Sequence, residues 1–432
     1  MKKTLCIFVA VIMCAAIFAA CGGSGTAPAP APAPAEGESS AAEPAPEAPE
    51  SAEPVTITHW YWSDNDSWTA AMEQNVADFN AANDKNITVV LEVYPWDGGG
   101  FSENLFTAAM GGGGPDTAQF KLTATPLFTA NNLLVNLEGY VGGWDKKNDI
   151  NDNIYNIMRS AHEGDDLYVM PFCTQILYVY YRPSMFEAAG IGIPQTYEEF
   201  LEACATLTRD GAYGFGMRGA ANGHEPWGSF IQAAGGDFTD FTSADALKGM
   251  QDYLDLFNNG YVPPTAPSDG FNEIIANFQS GLTAMVVHHT GSFQGMVDIF
   301  GDDVSAFQFP GGKGRWTSMG DTNNVIFEKA ENKEAAFEWL AYLAAGKGQE
   351  VWTVGTGNIP VSTTVQNLDF FQSNRFYKAS IDGVGFAGIF PIRDTTTEFI
   401  TSAWPSNTQA ALLGQITAEQ AMAEMQKVLW EQ

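Results

Sequence analysis

Residues 165–208 read DDLYVMPFCTQILYVYYRPSMFEAAGIGIPQTYEEFLEACATLT. QILYVYY is a short apolar run rich in aromatic and β-branched residues, which reads as a buried strand. Thr196 is followed three positions later by Glu199, the capping-box spacing that opens a helix, here running through Leu207. The stretch is therefore a strand followed by a helix, and the same alternation extends on both sides. Before it, VTITHWYW reads as a strand. Trp68, Ala71, Met72, Val76 and Phe79 then fall on one face at helical spacing. NITVVLEVY is the next strand, Phe101 to Met110 the next helix, and GGGGPDTAQF a turn into a short strand. After it come the strand AYGFGM, a helix from Ser243 through Asn258, and the strands LTAMVV and VSAFQF. Asn332 begins another helix, and Thr417 with Gln420 caps the last one. The alternation after Val55 predicts an α/β lobe with a largely parallel sheet, and the whole chain reads as two α/β lobes with a ligand cleft where strand ends meet.

The bulk numbers narrow the function. The chain has 432 residues, enough for two or three domains. Its 20 basic and 51 acidic residues give a net charge of −31. Nucleic acids and anionic membrane surfaces demand basic patches, so neither is an expected partner. Binding of a small neutral ligand is unaffected by that charge.

Lys2 and Lys3 precede an apolar or small-residue run, Thr4 to Ala20, too short for a convincing transmembrane helix. It reads as a signal peptide over residues 1–20. IFAAC ends it and resembles a bacterial lipobox, with Phe18 where leucine is usual, so Cys21 is the expected lipidated residue; an ordinary secretory cleavage site is the alternative. Residues 22–54 hold only Gly, Ser, Thr, Ala, Pro and Glu. With nothing large to bury they read as a spacer. Cys173 and Cys204 remain in the folded part, either paired in an oxidising compartment or as two separate thiols.

Catalytic and metal motifs fail on inspection. His162-Glu163 is followed by Asp166 where a zinc protease needs histidine. The segment from Asp64 and Asp66 lacks the glycine and glutamate of a calcium loop, having Thr69 and Asn75 there. Gly111 to Gly114 is not followed by the Lys-Ser/Thr of a phosphate loop. His288-His289 lacks further ligands at metal spacing and suits a cleft wall better. No cofactor and no metal are expected.

Several stretches together carry a family resemblance: the Gly-x-x-Pro-Asp turn in GGGGPDTAQF, the run 165–208, FQSGLTAMVVHHTGSF, KEAAFEWLAYL and GNIPV. In order and spacing they resemble the family 1 extracellular solute-binding proteins of bacterial ABC importers, the group containing maltose- and polyol-binding proteins. The resemblance spans nearly all of the chain from Val55. It implies a two-lobe periplasmic-binding-protein-like α/β fold of type II, hinged over a cleft. Residues 55–172 plus 303–331 would form one lobe and 173–302 plus 332–432 the other, with crossings near Pro171, Asp303 and Glu331. It implies a monomeric, lipid-anchored receptor on the outer face of the cytoplasmic membrane. Such a receptor captures a carbohydrate and passes it to the transmembrane subunits of an ABC permease without catalysis. A polyol or other solute on the same fold, a surface glycan hydrolase using Asp64 and Glu225, and an adhesin are the alternatives.

The resemblance also implies a site. Trp62 and Asp64 follow the first strand. Phe120, Lys121 and Thr123 follow the Pro-Asp strand, and Gln175 lies just past Pro171-Phe172. Arg218, Glu225 and Trp227 come from the opposing lobe, with His289, Gly291 and Phe293 after TAMVV, where the family's aromatic platform matches Gly291 or Phe293. Asp321 and Asn323 come from a crossing. A sugar has apolar C–H faces and a belt of hydroxyls. Rings such as Trp62 and Trp227 would stack on the faces, and polar groups would take the hydroxyls. Alternation along the strand sends Tyr61 the other way, into the core.

Overall fold

The computed structural model describes residues 53–431 apart from Asp64, 97–99, Glu163 and Asp165. The expected signal peptide, Cys21 and nearly all of the expected spacer lie outside the described residues, as does Asp64. The strands are β1 (Val55–Trp62), β2 (Ile87–Tyr94), β3 (Thr117–Phe120), β4 (Met170–Ile176), β5 (Tyr178–Tyr181), β6 (Tyr213–Gly216), β7 (Thr283–His288), β8 (Ser305–Phe307), β9 (Thr317–Ile326), β10 (Ile359–Pro360) and β11 (Ala387–Gly388). They form two sheets. The first runs β10-β4-β9-β3-β1-β2, with β11 also paired to β9; the second runs β6-β7-β5-β8. β1 is parallel to β2 and β3, whereas β9 runs antiparallel between β3 and β4.

Local sequence explains the elements. Asn65 caps the helix Asp66–Ala82 by accepting from the amides of Ser67 and Trp68, and Met72 and Phe79 are buried on its inner face. Thr417 and Gln420 form both bonds of the expected capping box. Ser243 accepts from the Ala246 amide at 3.3 Å, and its helix runs Ala244–Asn258.

The passages between sheets differ from the expected crossings. QILYVYY is not one strand: it breaks at Leu177, with β4 in the first sheet and β5 in the second. The joint is held across the chain, because the Leu177 amide donates to the Ser318 carbonyl and Thr317 Oγ1 donates to the Leu177 carbonyl. β8 pairs with β5, so residues 305–307 belong to the second sheet, and the chain passes to the first between β8 and β9. The helices Lys333–Ala344 and Lys347–Thr356, expected in the second lobe, pack on the first sheet. Trp339 supplies the reason: its ring meets His59 edge-on at 5.7 Å and Phe79 at 5.2 Å, inside the first core. β10 then pairs with β4, so the next passage comes after Pro360 rather than near Glu331.

Each sheet has its own core. Tyr61 is fully buried in the first, edge-on to Trp352 at 5.8 Å, as strand alternation required. Cys173 lies in the first core and Cys204 in the second, both as free thiols. Among the described residues, no helix is long and apolar enough to cross a membrane.

Candidate functional site

A cavity of about 110 Å³ lies between the sheets. Gln175 of β4 and Gly320 of β9 line it from the first sheet, with Leu177 at the joint. Arg218, Glu225, Pro226, Phe271, Ile274, Val287, His288 and His289 line it from the second.

Close backbone contacts bring these second-sheet residues together. Arg218 follows β6, and the next residue must be glycine: a Cβ on Gly219 would lie 2.4 Å from the Ala266 carbonyl oxygen. This approach sets the loop ending at Gly270 beside Arg218, and the Ala220 amide donates to the Asp269 carbonyl at 3.1 Å. The Gly270 amide then donates to Glu273 Oε2 at 3.0 Å, opening the helix Phe271–Gln279 with Phe271 as its first residue. Gly223 plays a similar part: a Cβ there would lie 2.3 Å from the Arg218 carbonyl oxygen. The helix His224–Ala234 therefore starts tight against Arg218 and carries Glu225 to it. Arg218 Nη1 donates to Glu225 Oε2 at 3.3 Å.

The result is an aromatic and charged wall. Phe271 keeps 40% of its surface exposed. His289 stacks on it at 5.2 Å with the planes 20° apart, and His288 lies 4.1 Å away. The Arg218 guanidinium sits 5.6 Å from the same ring. Arg218 is 8% exposed, and its buried Nε–H has no acceptor among the described residues. Burial lowers the Arg218 pKa, with Glu225 acting against the shift; burial raises that of Glu225, with Arg218 acting against it. Burial lowers His288 to about 2, helped by His289 and Arg218, and lowers His289 to about 4. Both imidazoles are neutral at pH 7, and the Arg218–Glu225 pair balances its own charge. Among the described residues, no group of three or more His, Cys, Asp or Glu is placed to hold a metal ion.

Of the residues expected from sequence, Gln175, Arg218, Glu225 and His289 line this cavity. Gln175 Nε2 also donates to Asn358 Oδ1 at 3.1 Å. Trp62, Lys121, Asp321 and Asn323 form a separate cluster. Lys121 Nζ donates to the Asp321 carbonyl and lies 5.7 Å from the Trp62 ring centre. Asp321 Oδ2 accepts from the Leu122 amide at 2.9 Å and from Asn323 Nδ2 at 2.6 Å. Trp62 is only 7% exposed, covered by Trp96 and Phe101. Thr123 is exposed on the short turn Leu122–Ala124.

Packing takes three expected residues out of the cavity, and Gly291 also stands apart from it. Trp227 is fully buried, with its Nε1 donating to Met250 Sδ and its ring edge-on to Phe241 and Trp404. Phe120 is 2% exposed and edge-on to Phe128. Phe293 stacks on Phe376 at 5.1 Å, and Gly291 is exposed with its amide donating to His289 Nδ1. None of the four lines the cavity. The ring expected after TAMVV comes instead from Phe271, which the sequence reading missed. Its one local signal is an apolar ring placed at a helix start directly after Ser268-Asp269-Gly270.

Two lobes joined by several chain passages, with a lined cleft between their sheets, define a type II solute-binding fold. The chain matches the model of the bacterial extracellular solute-binding proteins over residues 63–350, and it belongs to that family. It is 26% identical over 298 residues to the mannitol-binding protein of Pseudomonas aeruginosa, covering 60% of this chain and 68% of that one. It is 23% identical over 335 residues to the arabinooligosaccharide-binding protein of Halalkalibacterium halodurans, covering 72% of each. The sugar-binding protein MalE of Xanthomonas citri shares the fold, with a TM-score of 0.76 at 18% identity over 87% of this chain and 97% of that one.

Proposed function

We propose that this protein is the receptor of a bacterial ABC importer, capturing a carbohydrate or polyol in the cleft between its sheets. The observation that carries this reading is the juxtaposition of the half-exposed Phe271 ring with Arg218, Glu225 and Gln175 around one cavity. A sugar needs that combination: an apolar face for its C–H groups and polar groups for its hydroxyls. The named ligands of the relatives, mannitol and arabinooligosaccharides, agree with it. The protein binds without turnover. A glycosidase needs two carboxylates flanking the bond, whereas Glu225 is the cavity's one carboxylate among the described residues and is already bonded to Arg218.

The receptor acts as a monomer, held by a lipid on Cys21 at the outer face of the cytoplasmic membrane and working with permease subunits. Its two lobes hinge at Leu177, at the β8–β9 passage and beyond Pro360, and ligand contacts with both sides favour closure. The test is a thermal-shift panel of neutral hexoses, hexitols, pentose and hexose oligosaccharides, and amino acids. A ligand that binds only the folded state raises its midpoint. Stabilisation by a sugar or polyol is expected; stabilisation by amino acids alone would overturn the reading.

A further inference from the structure

The cavity's size and charge balance restrict the ligand beyond its class. Resting on the carbohydrate-or-polyol reading of this cleft, we propose that it takes one uncharged polyhydroxylated unit, a single hexose or a linear hexitol. Oligosaccharide chains and charged sugars are excluded.

Size is the first argument. The cavity measures about 110 Å³. At roughly 10–15 Å³ per water, that is room for on the order of ten waters. That is on the scale of one hexose or hexitol, with about twelve heavy atoms, whereas pockets for larger ligands run to ~300–1,000 Å³. The number of open ring faces agrees. Among the described residues, Phe271 is the one exposed aromatic ring in the lining other than His289, which stacks on it. Trp62, the other ring expected to stack on sugar, is closed off by Trp96, Phe101 and the Lys121 ammonium. A chain of sugars would need a second such face and finds none open among the described residues.

Charge is the second argument. Among the described residues, the lining carries one cation and one anion, Arg218 and Glu225, bonded to each other. Both histidines are neutral because burial disfavours their protonated forms. A sugar acid would bring a second anion to a guanidinium already paired with Glu225, and an amino sugar a second cation to a carboxylate already paired with Arg218. Either would leave one uncompensated charge in a desolvated site, which costs more than a missing neutral hydrogen bond.

The experiment uses calorimetry on the protein with the common neutral hexoses and hexitols, glucuronate, glucosamine and maltotetraose. A neutral single unit should bind at least about tenfold more tightly than the charged sugars and the tetrasaccharide. Equal or tighter binding of maltotetraose would overturn the size argument while leaving the carbohydrate reading intact. Equal binding of glucuronate would overturn the charge argument in the same way. Binding of none of these sugars would overturn the underlying reading, and the inference with it. Glu225→Gln adds a second readout, with ligand-free melting confirming its fold. It removes the anion facing Arg218, so preference should move toward glucuronate by about tenfold relative to the neutral ligand. An unchanged preference in the folded variant would refute the claim that this pair sets selectivity.

Discussion

Filling the cavity from its floor is the sharpest test of where ligand sits. Gly320 of β9 lies opposite Gln175 of β4 in the antiparallel pair. Directly opposed residues send their side chains to the same face. Gln175 lines the cavity, so a side chain at Gly320 enters it too. A Cβ there would lie 3.5 Å from Gln175 Cβ and from its carbonyl oxygen, an ordinary contact. Gly320 is not among the residues of positive φ, so the backbone accepts a substitution. Gly320→Val therefore places an isopropyl group in a space of about 110 Å³ at no cost to the strand. Valine suits a strand, and replacing a strand-interior glycine gains ~0.5–1 kcal/mol. Ligand must then share the space with three added carbons. Overpacking of this kind costs ~1–3 kcal/mol, or roughly 5- to 150-fold in Kd. Calorimetry with the tightest ligand of the thermal-shift panel reads the affinity, and a ligand-free melt reads the fold. Binding within about twofold of the parent, by a variant that melts normally, would refute the assignment of this cavity as the ligand site.

Phe271→Ala should weaken binding with a ceiling set by exposed area: 40% of a ring residue burying ~200 Å² leaves about 80 Å², worth ~2 kcal/mol or about thirtyfold, and unchanged affinity by calorimetry would remove Phe271 as the stacking face. Trp227→Ala should instead destabilise the ligand-free protein by ~3–5 kcal/mol in denaturant titration, because the indole fills the second core; a normal midpoint with lost binding would return Trp227 to the cleft. Stability should fall between pH 7 and pH 5, earlier than carboxylate titration alone dictates. His59 and His224 are lowered to about 3 and His288 to about 2 by burial, so only the unfolded chain takes their protons as pH drops below 6.5. Each such histidine removes ~2 kcal/mol by pH 5. Glu225 works the other way, since its raised pKa lets the folded state take a proton first. A flat denaturation midpoint across that range would contradict neutral burial of the three imidazoles.

Much of the architecture was written locally. Helix spacing at Trp68 to Phe79, the caps at Ser243 and Thr417, and the alternation that buries Tyr61 depend on neighbours along the chain, and each appears in the fold. The order of these elements made an α/β fold of two lobes legible from sequence alone. Four cavity-lining residues, Gln175, Arg218, Glu225 and His289, were legible through resemblance; Arg218 and His289 sit just past strand ends and Gln175 near the end of one, which the sequence marks clearly.

What needed the tertiary structure was every choice between one face and the other. Glu225 and Trp227 are two residues apart on one helix, and such positions point in nearly opposite directions. One side had to face Arg218 and the other the core of Phe241 and Trp404, but the sequence does not say which side is which. The same holds for QILYVYY, an unbroken apolar run that changes sheets at Leu177 because β9 holds that residue from across the chain. Phe271 is the clearest case. Its place beside Arg218 depends on Gly219 meeting Ala266, a contact across 47 residues of chain that a short-range pattern cannot encode. Periodicity fixes which residues share a face; only packing between distant segments decides whether that face looks into a core or into the cleft.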